Sequence, residues 1–385
     1  MGGQISLSAV YIADIMGILV SGLMFFGNRR LLNGNDREGR YVKIMLITTI
    51  IACATDSLAF MMDGKPGMLA FVCVYMGALW MFISNLIIGA VWLVLVLEHI
   101  EGNVSKLHRI MINAFNIFAL LVLVFNIFYP LVFEVNDNSY SRGPLFFIYV
   151  VIELIYIADS IILYIKIRFG SGLFKFFNVL LFVGPVIIGT VIQLSTYGLS
   201  TISPCIAVAI AGIICGLQNE YAYKDPLTGS YNRYYLETIR KEFAGKNSGY
   251  LAAMMLDMNQ FKLINDNFGH NAGDEALSVV ANICKEAVQP SGIVIRYAGD
   301  EFILILDTQD EAFVKDCMKS IEDKFAEFNE LNENQYKLSA AIGYGMLDFK
   351  SKSIDDLLNK IDKEMYDAKA AYYNREGIDR RRRRD

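Results

Sequence analysis

The side chains best suited to chemistry in this chain sit on one turn and at the end of one apolar run. Ile293 to Leu306 holds two β-branched and aliphatic segments on either side of Ala298-Gly299-Asp300-Glu301, a pattern that predicts a hairpin with a tight, glycine-assisted turn. A second apolar run, Leu251-Ala-Ala-Met-Met-Leu-Asp257, also stops on a carboxylate. If the two runs are neighbouring strands, Asp257 and Asp300 meet at one sheet edge. Two carboxylates and substrate phosphates make an ordinary Mg²⁺ site, since that ion takes few protein oxygens and fills its shell with water and phosphate. The plain alternative is a pair of solvated turn acids, and these two residues alone leave both readings open.

Positioning these acids takes a sheet and helices, and the pattern after Asp225 supplies both. A helix is expected over 232–244 and a strand over 250–257. An amphipathic helix over 272–289 puts Ala276, Leu277, Val280, Ile283 and Ala287 on one face. After the hairpin 293–306 comes a helix over 310–330 with Phe313, Cys317, Ile321 and Phe325 inward. A strand near 336–347 and a helix over 354–373, carrying Ile354, Leu357, Leu358, Ile361, Met365 and Ala368, complete the series. These stripes read as core. The order is β-α-β-β-α-β with additions, the ferredoxin-like plan.

The first half is different material. At 385 residues, 54% hydrophobic, with mean hydropathy +0.38, the chain is too long for one ordinary domain and too apolar to be wholly soluble. Residues 1 to about 217 are almost continuously apolar, and seven runs, near 6–27, 42–62, 69–97, 110–133, 145–165, 176–196 and 202–217, are candidates for crossing a bilayer. Alternate loops divide the charges unequally. Arg29, Arg30, Arg37, Arg40, Lys43, Lys106, Arg109, Lys166, Arg168 and Lys175 fall on one side, and only Lys65 and Arg142 on the other. The basic side is cytoplasmic by the positive-inside rule, which puts the N-terminus outside and the polar half inside. The start Met1-Gly-Gly-Gln-Ile-Ser6 fits a myristoylation pattern, but Gly2 leads straight into a span and the match reads as chance. A cleaved signal peptide is not expected, because no basic residue precedes the first apolar run.

Four acids lie within the spans: Asp14, Asp56, Glu153 and Asp159. By depth the first three occupy the outer half, which suits an outward polar pocket for a cationic or hydrogen-bonding ligand, or else interhelical hydrogen bonds. Outer loops are short, so no extracellular domain is expected. Of six cysteines, Cys53, Cys73, Cys205 and Cys215 are in spans and Cys284 and Cys317 in the polar half, without CxxC spacing; reduced, buried cysteine is the reading. Three histidines, His99, His108 and His270, speak against a histidine zinc site.

The polar half resembles a GGDEF domain, the diguanylate cyclase family. The matching pieces are Asp225-Pro-Leu-Thr-Gly-Ser-Tyr-Asn-Arg233, Asp257-Met-Asn-Gln-Phe-Lys-Leu-Ile-Asn-Asp266 and Phe268-Gly-His-Asn-Ala-Gly-Asp274, then Arg296-Tyr-Ala-Gly-Asp-Glu-Phe302, Ala341-Ile-Gly-Tyr-Gly345 and Met365-Tyr-Asp-Ala-Lys369. They come in family order and spacing. The apolar runs predict an α-helical membrane bundle of about seven transmembrane helices, and the resemblance, which covers 221–373, implies that an α+β domain, ferredoxin-like and polymerase-palm-like, follows it. The divisions are a seven-span sensory and anchoring region over 1–217, a short helical linker over 218–224, the GGDEF domain over 225–375 and a basic tail over 376–385. The linker leaves no room for an intervening sensory domain.

Function follows from the same resemblance: condensation of two GTP into cyclic di-GMP by a homodimer of facing domains, in a bacterial cytoplasmic membrane. Asp257, Asp300 and the Met258 carbonyl would hold Mg²⁺, with Mn²⁺ as the alternative, and Glu301 would take the ribose 3′-hydroxyl proton or bind a second metal. Asn265 and Asp274 would hydrogen-bond guanine, with His270, Phe261 and Arg296 in substrate-contacting segments. Lys262 and Lys369 would neutralise phosphate charge, since such transfers need alignment and negative-charge stabilisation. Membrane lipid and an unidentified external or membrane ligand are the other expected partners, and nucleic acid is not. Ala298 replaces the first glycine of the family motif, a cost of about 1 kcal/mol if that position needs positive φ. Gln289-Pro-Ser-Gly292 stands where the Arg-x-x-Asp product-inhibition motif is expected, and Tyr373 replaces a frequent arginine, for which Arg375 or the run Arg380 to Arg384 could substitute. A silent GTP-binding receptor and a transporter with a nucleotide domain are the competing classes. The second would need charges of both signs and broken spans, whereas only Pro185 interrupts a span.

Overall fold

The computed structural model describes residues 7–33, 37–170, 178–196, 199–244, 248–289, 291–331 and 336–375. Lys175, the first six residues, Pro290 and the tail 376–385, all used above, lie outside the described residues. The described residues fall into two compact units, one of residues 7–169 and 178–218 and the other of Gly170 and residues 219–375, so that the last turn of the helix over 202–222 is counted with the second.

The first unit is helical: α1 (Leu7–Gly27), α2 (Arg29–Leu32), α3 (Arg37–Met62), α4 (Met68–Glu101), α5 (Lys106–Asn126), α6 (Phe147–Gly170), α7 (Leu180–Ser195) and α8 (Ile202–Ala222), with a hairpin of β1 (Phe133–Asn136) and β2 (Ser139–Arg142) between α5 and α6. Six of these helices are long and apolar enough to cross a membrane. The sixth of the seven expected spans differs. α7 has 16 residues and carries Pro185, so at 1.5 Å per residue it covers roughly 24 Å of the ~30 Å hydrocarbon layer. The fourth run also ends early. Asn126 stops the helix by turning its side chain onto the returning chain: Oδ1 accepts from the Val132 amide at 2.6 Å and the Phe133 amide at 3.2 Å, and Nδ2 donates to the Phe133 carbonyl at 3.0 Å. The stretch to 133 is therefore reversal and strand. Asp137 and Asn138, at φ 48° and 61°, make the two-residue turn, the backbone that a two-residue hairpin loop favours.

The second unit is a five-stranded sheet in the order β3-β5-β6-β4-β7, built from β3 (Tyr231–Asn232), β4 (Tyr250–Met258), β5 (Gly292–Ala298), β6 (Glu301–Leu306) and β7 (Ala340–Asp348). Leaving β3 aside, the strands run antiparallel in the ferredoxin-like arrangement; β3 adds a short parallel edge on β5. The helices are α9 (Arg233–Phe243), α10 (Phe261–Phe268), α11 (His270–Val288), α12 (Glu311–Glu330) and α13 (Ile354–Arg375). β4 is buried on both faces. Ala252, Met254, Leu256 and Met258 join α11 and α12 in one core, and the alternate residues face the other way, toward the side where α13 packs on β4 and β7. A central strand covered on both sides has little freedom to shift register, and its carboxylate end is fixed with it.

Candidate functional site

Strand pairing brings the acids together. β4 and β6 align with Asp257 opposite Glu301, and the Met258 amide donates to the Asp300 carbonyl at 3.3 Å. The turn between β5 and β6 takes its positive φ at Gly299 (37°). Ala298 ends β5 opposite Glu301 and is not among the positive-φ residues, so the missing first glycine costs the backbone nothing.

Asp257 is 5% exposed. One of its oxygens accepts from Lys369 Nζ on α13 at 2.5 Å, and the other is buried without a hydrogen-bond partner among the described residues. Two residues on, the buried Asn259 side-chain oxygen is likewise unsatisfied, while its amide donates to the Ser339 carbonyl at 2.8 Å. Burial, then the Asp257 charge, pushes the Asp300 carboxyl above its ordinary range. Burial, followed by Asp257 and Asp300, does the same to Glu301, with Lys369 pulling the other way. Three carboxylates thus share the Lys369 ammonium, with the Arg296 guanidinium acting on Asp300 as well, and negative charge still prevails at the site. An unsatisfied buried carboxylate oxygen among hard oxygen donors fits Mg²⁺. Among the described residues no group of three or more His, Cys, Asp or Glu side chains is arranged to hold a metal by itself, so such an ion would need oxygens from a phosphate ligand and water.

A second cluster lies on α10 and α11. α10 starts after Gln260, which has φ 57° and donates from Nε2 to the Tyr372 hydroxyl at 3.1 Å. The two helices meet at Gly273, where a Cβ would stand 2.0 Å from Asn265 Oδ1; only glycine leaves room for that side chain. Asn265 therefore sits against the first turn of α11, where His270 and Asp274 are exposed. Lys262 is exposed on α10, and Phe261 packs partly buried against the core.

Arg296 is engaged inside the protein. Its guanidinium donates to both Asp225 carboxylate oxygens at 3.1 and 3.2 Å and to the Gly299 carbonyl at 3.0 Å. In this structure it braces the turn, and contact with a ligand would be additional to that. Burial works to raise the Asp225 carboxyl, but hydrogen bonds from the Thr228 hydroxyl and amide, then Arg296, outweigh it and hold the group below its ordinary value. Asp225 and Asn259 were not singled out as site residues in the sequence. Asp225 was visible only as the start of a motif, and nothing local distinguishes Asn259.

Residues 222–375 match the family described as diguanylate cyclase, GGDEF domain. Among curated proteins, the region is similar to Diguanylate cyclase DosC of Escherichia coli K12, 33% identical over 156 residues, 39% of this chain and 34% of that protein. It is similar to Diguanylate cyclase A of Treponema denticola at 29% over 166 residues, 40% of this chain and 44% of that one. It is also similar to Cyclic di-GMP phosphodiesterase NbdA of Pseudomonas aeruginosa at 30% over 163 residues, 42% of this chain and 19% of that one. The chain spans less than half the length of each of these relatives.

Proposed function

Taking as premise that residues 222–375 are a GGDEF domain, we propose that this chain is a membrane-anchored diguanylate cyclase. It would join two GTP into cyclic di-GMP with release of two pyrophosphates, without product inhibition through an Arg-x-x-Asp motif. The observation that supports it best is the charge-deficient edge of β4 and β6, where Asp257 keeps a buried, unsatisfied oxygen beside Asp300 and Glu301. Asp257, Asp300 and the Met258 carbonyl would hold Mg²⁺, which when bound supplies charge stabilisation for the transferring phosphate. Glu301, whose carboxyl is raised by burial and by Asp257 and Asp300, would accept the proton of the attacking 3′-hydroxyl. Lys369 holds the Asp257 carboxylate in place until phosphate arrives, and Lys262 is the exposed cation left to meet phosphate. Asn265 and Asp274 present the acceptors that guanine's N–H edge requires. Each domain would bind one GTP, so turnover calls for two chains facing each other, with the N-terminus outside the membrane and the domain in the cytoplasm.

A catalytically silent GTP receptor is the second reading. It is favoured by the match to a protein named as a phosphodiesterase, since similarity of this region alone does not bring synthesis with it. The full chain, purified in a bilayer mimic and incubated with GTP and Mg²⁺, separates the two. A cyclic di-GMP mass that vanishes in Glu301→Gln supports the cyclase; GTP binding with no product in the unsubstituted chain overturns it.

A further inference from the structure

The helical unit holds a partly open cavity of about 140 Å³. Its walls come from one end of the bundle: α3 from Asp56 with Asp63 just beyond its end, α4 from Val74 to Asn85, the hairpin residues Tyr140 and Arg142, the start of α6 as far as Glu153, Thr190 to Thr196 at the end of α7, and Leu199 and Ile202 at the start of α8. This is the end that the loop charges put outside.

Its carboxylate and basic lining is Asp56, Asp63 and Glu153 against Arg142. Two of these are already engaged. Asp63 accepts from the Tyr140 amide at 2.9 Å and the Ser139 hydroxyl at 3.3 Å. Arg142, exposed, donates to the Gln193 carbonyl at 3.2 Å and lies 4.9 Å from the Phe146 ring centroid. Asp56, 8% exposed, accepts from the hydroxyls of Ser200 at 2.9 Å and Ser203 at 3.3 Å, and no Lys or Arg contacts it among the described residues. Glu153 has neither a hydrogen bond nor an ion pair among the described residues, and it lines this cavity and the smaller one beside it. Around these acids the wall is aromatic, with Phe60, Phe82, Phe146 and Tyr149.

A carboxylate in apolar surroundings needs a partner, and aromatic faces attract cations. We propose that this cavity binds a small organic cation, an ammonium group on a compact apolar body, with the charge on Glu153 and Asp56 and the body against the aromatic wall. A cavity of about 150 Å³ takes a benzene-sized molecule, which sets the scale of the ligand. An inorganic cation would leave the apolar wall unused, and an anion would meet three acids. Through Ser203, on the first turn of α8, the ligand gains a handle on that helix. The site does not depend on cyclase chemistry and would stand if the cytosolic domain were silent.

Binding to the full chain in phosphatidylglycerol nanodiscs tests this, read by calorimetric titration and by the thermal midpoint. The probes are choline and phenethylamine, each against its uncharged carbon isostere. At least one ammonium compound binds about tenfold more tightly than its isostere. Glu153→Gln erases that preference without moving the ligand-free midpoint, and Arg142→Ala leaves it intact. Equal binding of charged and uncharged partners, or no binding of either amine, overturns the proposal. So does tighter binding of glycine betaine that is lost in Arg142→Ala, which would mark a zwitterion site. If Glu153→Gln does not fold, the comparison of amine with isostere on the unsubstituted chain decides. Competition by added phosphatidylethanolamine assigns the ammonium to a lipid headgroup, and its absence to a free solute; both uphold the cation site.

Discussion

Asp257 in the sheet domain and Asp14 and Asp56 in the helical bundle are all withdrawn from solvent, yet their surroundings differ in kind. Asp257 faces an ammonium and two further carboxylates at a sheet edge. Asp14 and Asp56 share hydroxyls: Ser57 donates to Asp14 at 2.8 Å, and Ser200 reaches both acids, at 3.4 and 2.9 Å. An ion pair fixes the charge of each member, because removing one strands the other. A hydroxyl satisfies a lone pair whether or not the acid carries charge. The domain's acids are therefore specified by charge, while the bundle's acids are specified by hydrogen bonding, which holds them in either charge state.

The sharpest way to break this contrast is Glu301→Gln, which keeps size and removes charge. Product formation falls by at least about 100-fold while GTP affinity, measured by titration, is retained; loss of GTP binding instead would make Glu301 a binding group. Next in size is Lys369→Met, which leaves Asp257 buried and unpaired. Denaturation of the full chain should show a loss of about 3 kcal/mol, partly restored by millimolar Mg²⁺, against no more than about 1.5 kcal/mol for Ser200→Ala in the bundle. Equal losses would erase the distinction.

The pH response has two opposed parts. Asp300 and Glu301 have raised carboxyls, so the folded state holds more protons than the unfolded one between the two values. Their contribution is complete below the ordinary carboxylate range and is lost as pH rises through the raised values. Asp225, held low, contributes above its ordinary value and loses that as pH falls through the lowered one. Asp300→Asn should flatten the decline toward neutral pH, and Arg296→Met the decline toward acid, both read from denaturation midpoints across the carboxylate range. The smallest effect separates two neighbours: Gly299→Ala destabilises by about 1 kcal/mol because its φ is positive, whereas Ala298→Gly shifts stability by less than about 0.5 kcal/mol.

Much of the site was legible because strands ending on acids leave a local trace. The runs before Asp257 and after Glu301 are continuously apolar and buried, as central strands are, and β4 against β6 appears where expected. α10 (261–268) is absent from the sequence expectation, which starts the helix at 272, because its eight residues lie in a motif whose polar residues hide the helical period. The hairpin 133–142 was missed for the opposite reason. Its first strand continues an apolar run, and the turn pair Asp137-Asn138 that marks it was subordinate to the hydropathy of α5. The grip of Arg296 on Asp225 joins residues 71 apart, and no local pattern announces such a partner.

That grip has a consequence for the order in which the domain can be made. Asp225 leaves the ribosome long before Gly299 does, and the turn carrying Asp300 and Glu301 is held from behind by an arginine whose anchor is the domain's opening residue. Closing a loop of that length costs entropy that only late packing returns. A nascent chain with β4 and α11 in place would still lack the brace behind its acidic turn until Arg296 reaches Asp225. Cutting the chain just after Asp225 should leave sheet and helices standing around a turn that no longer keeps its shape.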